Sequence, residues 1–381
     1  MGEFFVCPIC GNKDIRKIGY LYGKPYCRAC ISFKGNEALL KERDNNESDY
    51  SISYPLTINQ LEVSTKLLDN YKQNIDSLLI AVCGAGKTEI VFETITYALQ
   101  KGGRVGFSIP RRDVVIEIYK RLNEAYTKNK VIAVYGGHTD ILEGDIICLT
   151  THQLFRYEKY FDLLIIDEID AFPFNGNEVL FNIMKRSIKG NLIMMSATPN
   201  DEIIKKFNDK NAIIHLNTRF HNHPLPVPFV VKKILFLKYI YLIKKLKEFI
   251  LNGKPTFVFA PTIELSENVF KVINKFIKGG NVVHSKVKNR DEIISDFKIG
   301  KYKFLVTTAV LERGVTVKDL QVIVFSADHE IYDKSVLVQI SGRVGRKIDA
   351  PDGEVIFICE KETEEIRKCI NSIEESNKFL R

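Results

Sequence analysis

From about residue 55 onward the chain alternates apolar runs of four to seven residues with longer amphipathic stretches. The runs "SLLIAVC", "RVGFSIP", "VIAVYG", "DIICLTT", "FDLLIIDE" and "NLIMMSAT" are strand-length, apolar and bounded by turn residues. Strands apolar on both faces belong in a parallel sheet covered by helices on each side. Segments such as "KTEIVFETITYALQKG" and "RDVVIEIYKRLNEAY" lie between them and supply that cover. The series stops at "RFHNHPLPVPF" (219–229), where three prolines and two histidines break any regular element. It then resumes with "PTFVFAP", "NVVHS", "KFLVTTA", "QVIVFSA" and "EVIFICE". The pattern predicts an α/β fold with two tandem parallel-sheet domains, at 55–218 and 231–381, joined by a connection at 219–230. Residues 41–54, polar and dense in charge, read as a linker after a small module at 1–40.

Length, composition and charge narrow the class. The 381 residues are 45% hydrophobic and 27% charged, as expected of a globular protein with real cores. No apolar run approaches the roughly 18–20 residues of a membrane span. The opening "MGEFFVCPIC" lacks a basic region followed by a long apolar stretch, so the expected location is cytoplasmic. A net charge of +8 mildly favours a polyanionic partner.

Eight cysteines in a cytoplasmic chain are not expected to form disulfides. Cys83, Cys148, Cys359 and Cys369 are scattered and read as buried small side chains. Cys7, Cys10, Cys27 and Cys30 form two CxxC pairs with 16 residues between them. Each pair can aim two sulfurs at one point, and two pairs supply four thiolates in the tetrahedral arrangement that suits Zn²⁺. Gly11 suits the knuckle turn, and a segment this short needs a metal to fold.

The stretch "LLIAVCGAGKTEIVFET" places Gly84, Ala85, Gly86, Lys87 and Thr88 between a strand and a helix, the context of a P-loop. Its backbone N–H groups and the helix N-terminus face phosphate oxygens. Lys87 reaches the β- and γ-phosphates of ATP and Thr88 binds Mg²⁺. The first glycine of the usual pattern is Ala81 here. Further on, "LLIIDEID" (163–170) ends an apolar strand at Asp167, which can hold Mg²⁺ through water, followed by Glu168, which can polarise the attacking water. Beyond Lys87 and Mg²⁺, these groups supply no cation for the charge that builds on the γ-phosphate during transfer. Arg343 and Arg346 of "QISGRVGR" (339–346), opened by Gln339, fit that need as arginine fingers from the second domain.

Two such domains, with these motifs in this order, resemble a superfamily 2 helicase or translocase with RecA-like domains. Gln60 in "LTINQ" resembles the adenine-reading glutamine, and "SATP" (196–199) the segment that couples hydrolysis to domain movement. "FAPT" (259–262) and "TTAVLERGVT" (307–316) resemble later motifs, the second carrying Gly314 to a nucleotide-contacting position. The chain is similar over almost its whole length to the late competence protein ComFA family. The supporting stretches are "TTHQLFRY", "DEIDAFPFNGNEVL", "RFHNHPLPVP", "TTAVLERGVT" and "LVQISGRVGR", together with the four-cysteine module. The resemblance implies an ATP-driven motor on single-stranded DNA, working at the cytoplasmic side of the membrane, that helps import transforming DNA. It also implies three partners: the phosphoribosyltransferase-like protein ComFC, the recombination mediator DprA and the channel protein ComEC.

By motif position, the expected nucleic-acid contacts are Arg111, Arg112, Gly136, Gly137, Thr150, Thr151 and His152 in the first domain. Thr262, His284, Ser285, Thr307 and Thr308 are their counterparts in the second. Three other readings stay open. A DEAD-box RNA helicase is disfavoured by DEID and by the Gln that opens the arginine motif. A replication-restart helicase usually carries more cysteines, placed between its lobes. A non-motor scaffold would not need Lys87, Thr88, Asp167, Glu168, Arg343 and Arg346 together.

Overall fold

The apolar runs are covered on both faces, and each therefore becomes a strand of a parallel sheet. In Val105–Ile109 and Ile146–Thr150 every residue is buried. The structure is a computed structural model and describes residues 5–40, 47–170, 174, 177–207, 209–234, 236–308 and 315–378. The chain divides into two compact units, Met1–Ala81 with Gly86–Leu216, and Val82–Ala85 with Asn217–Arg381.

The first unit opens with an antiparallel hairpin, β1 (Ile18–Leu21) and β2 (Lys24–Cys27). It continues through α1 (Ile58–Lys72), β3 (Ser77–Ala81), α2 (Lys87–Ile90), α3 (Phe92–Gln100), β4 (Val105–Ile109) and α4 (Arg112–Ala125). β5 (Val131–Val134), β6 (Ile146–Thr150), β7 (Phe161–Asp167), α5 (Glu178–Ser187), β8 (Ile188–Ser196), α6 (Asp201–Ile204) and β9 (Ile213–Leu216) complete it. The seven-stranded sheet runs β5-β6-β4-β7-β8-β3-β9, and every pairing is parallel. One predicted helix is interrupted: Val91 separates α2 from α3. The second half of the expected linker lies against this unit. Ser51 N–H donates to the Ala125 carbonyl (3.1 Å), and Gln100 Nε2 donates to that of Ser48 (2.9 Å).

The second unit contains β10 (Phe229–Lys232), α7 (Leu237–Leu251), β11 (Thr256–Phe259), α8 (Ile263–Phe276), β12 (Gly280–Val283), α9 (Arg290–Lys298) and β13 (Phe304–Thr307). β14 (Gln321–Phe325), α10 (Lys334–Ser341), β15 (Val355–Cys359) and α11 (Glu364–Lys378) follow. Its six-stranded sheet runs β10-β15-β14-β11-β13-β12, again all parallel. β10 begins at Phe229, inside the stretch that reads as a connection, and pairs with β15 at the sheet edge. Leu242, Leu246, Phe249, Val258, Val269, Ile273, Ile323 and Ile356 form its core. No described helix is long and apolar enough to cross a membrane.

The four cysteines of the module do not stand apart from the first unit. They belong to one apolar cluster with Leu154, Phe155, Leu180, Ile183 and Met184, with Phe33 packed against it. Asn182 Nδ2 of α5 donates to the Cys10 carbonyl (2.9 Å), Arg156 Nη1 to that of Asn36 (2.7 Å), and Ala38 N–H to that of Arg156 (2.8 Å).

Candidate functional site

A parallel sheet gathers the loops after its strands along one edge, where ligands of α/β proteins bind. In the first unit β3, β8 and β7 are neighbours, and each leads at that edge into residues expected to meet the nucleotide. β3 runs into the P-loop, where Gly84 (φ 83°) and Gly86 (φ 75°) take the left-handed backbone that glycine tolerates. A side chain on Gly86 would collide with the Gln60 carboxamide, so the glycine also permits that approach. Lys87 opens α2, and Thr88 beside it is buried. Lys87 Nζ lies 3.6 Å from Asp167 Oδ1 at the end of β7, which joins the two halves of the predicted site. Glu168 follows with φ 59°, and its N–H donates to Asp167 Oδ1 (2.9 Å).

Gln60 is buried and has a structural partner that the motif alone does not reveal. Its Oε1 accepts from the Thr57 N–H (2.9 Å) and its own N–H donates to Thr57 Oγ1 (3.3 Å), a reciprocal cap of α1. Asp170, the last residue of DEID, is a second residue that motif reading passed over. Its carboxylate accepts from Ser196 Oγ (2.7 Å) and Thr198 Oγ1 (3.1 Å), which ties the acidic motif to "SATP". An acid three residues after Asp167 and two hydroxyls in a strand-end turn were the available signals.

The first-unit nucleic-acid candidates lie at the same edge on the other three neighbours, β4, β6 and β5. Arg111 caps α4 after β4, with Asp113 Oδ1 3.6 Å from its Nε, and Arg112 stacks its guanidinium 4.8 Å above the Tyr135 ring. After β5, Tyr135 and His138 bracket a tight turn through Gly136 and Gly137 (φ 81°). After β6, Thr150 and Thr151 are buried, whereas His152 is exposed and stacks on Phe33 of the cysteine module (5.9 Å, 22°).

The second unit repeats this placement on β11, β13 and β12. Thr262 is exposed and caps α8, accepting from the Leu265 N–H (3.1 Å). Ser285 is exposed; His284 is buried, with Nε2 3.3 Å from Glu267 Oε1. Thr307 is fully buried and donates to the Thr308 carbonyl (3.0 Å), while Thr308 is itself buried. Gln339, near the end of α10, is buried with Nε2 3.4 Å from Ser335 Oγ. Arg343 is buried and donates from Nη1 to the Val315 carbonyl (3.1 Å). Arg346 is half-buried and donates from Nε to the Gly342 carbonyl (2.9 Å). Gly314 lies outside the described residues.

The metal candidates converge. The four sulfurs of Cys7, Cys10, Cys27 and Cys30 lie within 4.8 Å of one another, with Cys7–Cys30 at 3.5 Å and Cys10–Cys27 at 3.6 Å. Four Zn–S bonds of about 2.3 Å in a tetrahedron set sulfurs about 3.8 Å apart, so the cluster fits Zn²⁺. Burial pushes the Cys10 thiol up to about 11 and Cys30 higher still. Burial also acts on Cys27, but the N–H groups of Cys30 and Ala29 outweigh it and hold that thiol below its usual range. Buried thiols of this kind ionise readily only against a cation.

Residues 57–207 match the family model described as DEAD/DEAH box helicase, and residues 238–347 the one described as helicase conserved C-terminal domain. Competence protein ComFA of Bacillus subtilis (strain 168) is 34% identical over 396 residues, covering 98% of this chain and 86% of that protein. This chain belongs to the ComFA family. Competence protein ComFA of Streptococcus pneumoniae (strain ATCC BAA-255 / R6) is 33% identical, over 99% of this chain and 91% of that protein. The ComFA-family fold is also that of S. cerevisiae Dbp5 bound to RNA and ADP BeF3, with a TM-score of 0.58 at 16% identity, covering 84% of this chain and 92% of that one. The ComFA-family chain is an ATP-hydrolysing superfamily 2 helicase or translocase with two RecA-like domains, a helicase core that implies ATP and Mg²⁺, and a four-cysteine cluster compatible with zinc.

Proposed function

We propose that this ComFA-family chain is an ATPase stimulated by single-stranded DNA, and that hydrolysis moves it along the strand as DNA is drawn in during natural competence. The observation that carries the reading is the shared sheet edge of the first unit. The residues proposed for nucleotide follow β3, β7 and β8, the strand-contacting candidates follow β4, β5 and β6, and β4 is hydrogen-bonded directly to β7. A change at Asp167 is one ladder away from Arg111 and Arg112. The net charge of +8 favours a polyanion.

In this reading Gln60 reads the adenine, and the loop of Gly84, Ala85 and Gly86 with Lys87 cradles the phosphates. Thr88 and Asp167 hold Mg²⁺, and Glu168 activates the attacking water. Gln339, Arg343 and Arg346 meet the charge that develops on the γ-phosphate. Asp170, Ser196 and Thr198 relay the change at the acidic motif. Arg111, Arg112, Gly137, Thr150, Thr151, His152, Thr262, His284, Thr307 and Thr308 line the strand's path, the buried threonines through backbone groups. Zn²⁺ on the four cysteines fixes the N-terminal module. The working place is the inner face of the cell membrane, with ComFC, DprA and the ComEC channel as partners.

Steady-state ATPase measured alone, with oligo-dT and with oligo-rU tests the reading. Oligo-dT should raise turnover severalfold and oligo-rU should do less, with Lys87→Ala inactive throughout. Equal stimulation by RNA would remove the DNA assignment, and no stimulation by either would remove the translocase.

A further inference from the structure

We propose that Arg219 is a positioning residue that holds the loop 342–346 in the geometry its two arginines need for hydrolysis, an inference that rests on the role proposed above for Arg343 and Arg346. Arg219 follows β9 in sequence and falls in the second unit with that loop. It is among the largest fully buried side chains of the described residues, at 2% exposure. Nη1 donates to the Gly345 carbonyl (2.8 Å), and Nη2 donates to those of Val344 (2.8 Å) and Gly342 (3.3 Å). Its Nε donates to the Cys83 carbonyl (3.2 Å), and none of its hydrogen-bond partners is a carboxylate.

A guanidinium buried without a counter-charge is costly. Burial holds its pKa down at about 10, with the charge of Arg346 acting the same way and Cys83 acting against both. What this guanidinium brings about is geometric. Three carbonyls of one short loop turn inward onto a single planar fork, which fixes the loop's backbone. Gly345 adopts φ 67°, and a side chain there would collide with the Pro351 carbonyl oxygen.

The coupling to the arginines is direct. The Gly342 carbonyl that receives Arg219 Nη2 also receives Arg346 Nε (2.9 Å). His221 adds a second hold, with Nε2 2.9 Å from the Gly345 carbonyl. A carbonyl can only accept, so Nε2 carries the proton; Nδ1 then accepts the His223 N–H (3.1 Å). Arg219 and His221 together make "RFH" a clamp on the arginine loop.

The test uses the full chain with saturating oligo-dT and the variants Arg219→Met, Arg219→Lys, Arg346→Ala and Arg219→Met with Arg346→Ala. Arg219→Met should lower kcat by about 10²-fold, the scale of a misplaced catalytic group, while KM for ATP stays within about threefold. The double variant should be no slower than Arg346→Ala alone, because a clamp without its arginine has nothing to position. Effects that multiply, or a loss confined to KM, would overturn the proposal. Where Arg219→Met does not fold, Arg219→Lys decides: it keeps the charge but not the fork, so a parental kcat overturns the clamp and a lowered kcat at unchanged KM supports it. Arg346→Ala separates the two readings. If it turns over at the parental rate, the arginine-finger role falls and the clamp with it; if it is slow while both Arg219 variants are fast, only the clamp falls.

Discussion

Glu168 holds a conformation that its own chemistry disfavours. For a residue with a Cβ, φ 59° costs about 1–2 kcal/mol, and such strain collects where a group must be aimed. Here it falls directly after Asp167, at the end of β7, where the Glu168 N–H also donates to Asp167 Oδ1 (2.9 Å). Glu168→Gln keeps shape and loses the proposed base: ATP affinity should hold while turnover falls by about 10²–10⁴-fold. Glu168→Gly should be as slow, yet melt no lower than the parent, because glycine adopts this φ freely. A lower melting temperature for Glu168→Gly would mean that the conformation carries no strain. His221 gives a second residue-scale expectation. Burial first, then the nearby charges of Arg219 and His223, hold its pKa below the ordinary 6.5, although the Gly345 carbonyl acts the other way. A depressed histidine contributes stability that is present above its unfolded pKa and lost as pH falls through the folded one. Between about pH 7 and about pH 5 the parent should therefore lose more stability than His221→Gln. Parallel melting-temperature profiles would remove that contribution.

At the scale of elements, the fully buried strands were legible and two partly buried edge strands were not, although β12, with one buried position, still showed through its valine pair. β4, β6 and β15 are buried at every position, and their runs stand out without any alternation. β9 and β10 are four-residue edge strands buried at only half or fewer of their positions, and β10 begins directly after the prolines that read as a break. The pause at Val91 was hidden because "KTEIVFET" carries unbroken helical periodicity. The clustering of the four cysteines could be read from spacing; the docking of their module could not, because its partners Asn182, Arg156 and His152 lie more than a hundred residues away. That docking carries a prediction. Cys27→Ser with Cys30→Ser should release zinc and also lower the stability of the first unit. The three hydrogen bonds from Asn182, Arg156 and Ala38 are worth about 1 kcal/mol each, so about 3 kcal/mol in all. For a unit of this size that is a fall of roughly 6–12 °C in melting temperature. Hydrogen exchange should quicken in α5 and in residues 151–156. Zinc loss with unchanged melting and exchange would make the module an appendage.

At the scale of the whole molecule, one plan is written twice. In each unit three neighbouring strands of a parallel sheet end in the residues proposed to meet a nucleic-acid strand, while the arginine loop belongs to the second unit alone. Affinity for DNA and the rate of hydrolysis should therefore fail separately, and the concentration dependence of stimulation tells them apart. Arg111→Ala with Arg112→Ala removes two cations from strand ends that carry no nucleotide chemistry. The DNA concentration for half-maximal ATPase should rise while the plateau stays near the parental value. Each phosphate contact on a single strand contributes about 0.7 to the slope of log affinity against log salt, so the slope should flatten by about 1.4 for two. Arg346→Ala should do the opposite, lowering the plateau and leaving midpoint and salt slope alone. Arginine fingers elsewhere contribute about 10³–10⁵ in rate, so even a partial role should be plain against the assay background. Arg346→Lys should recover little, since a point charge lacks the planar fork. If Arg346 instead contacts DNA phosphate, its loss will shift the midpoint and flatten the salt slope, and saturating oligo-dT will restore turnover.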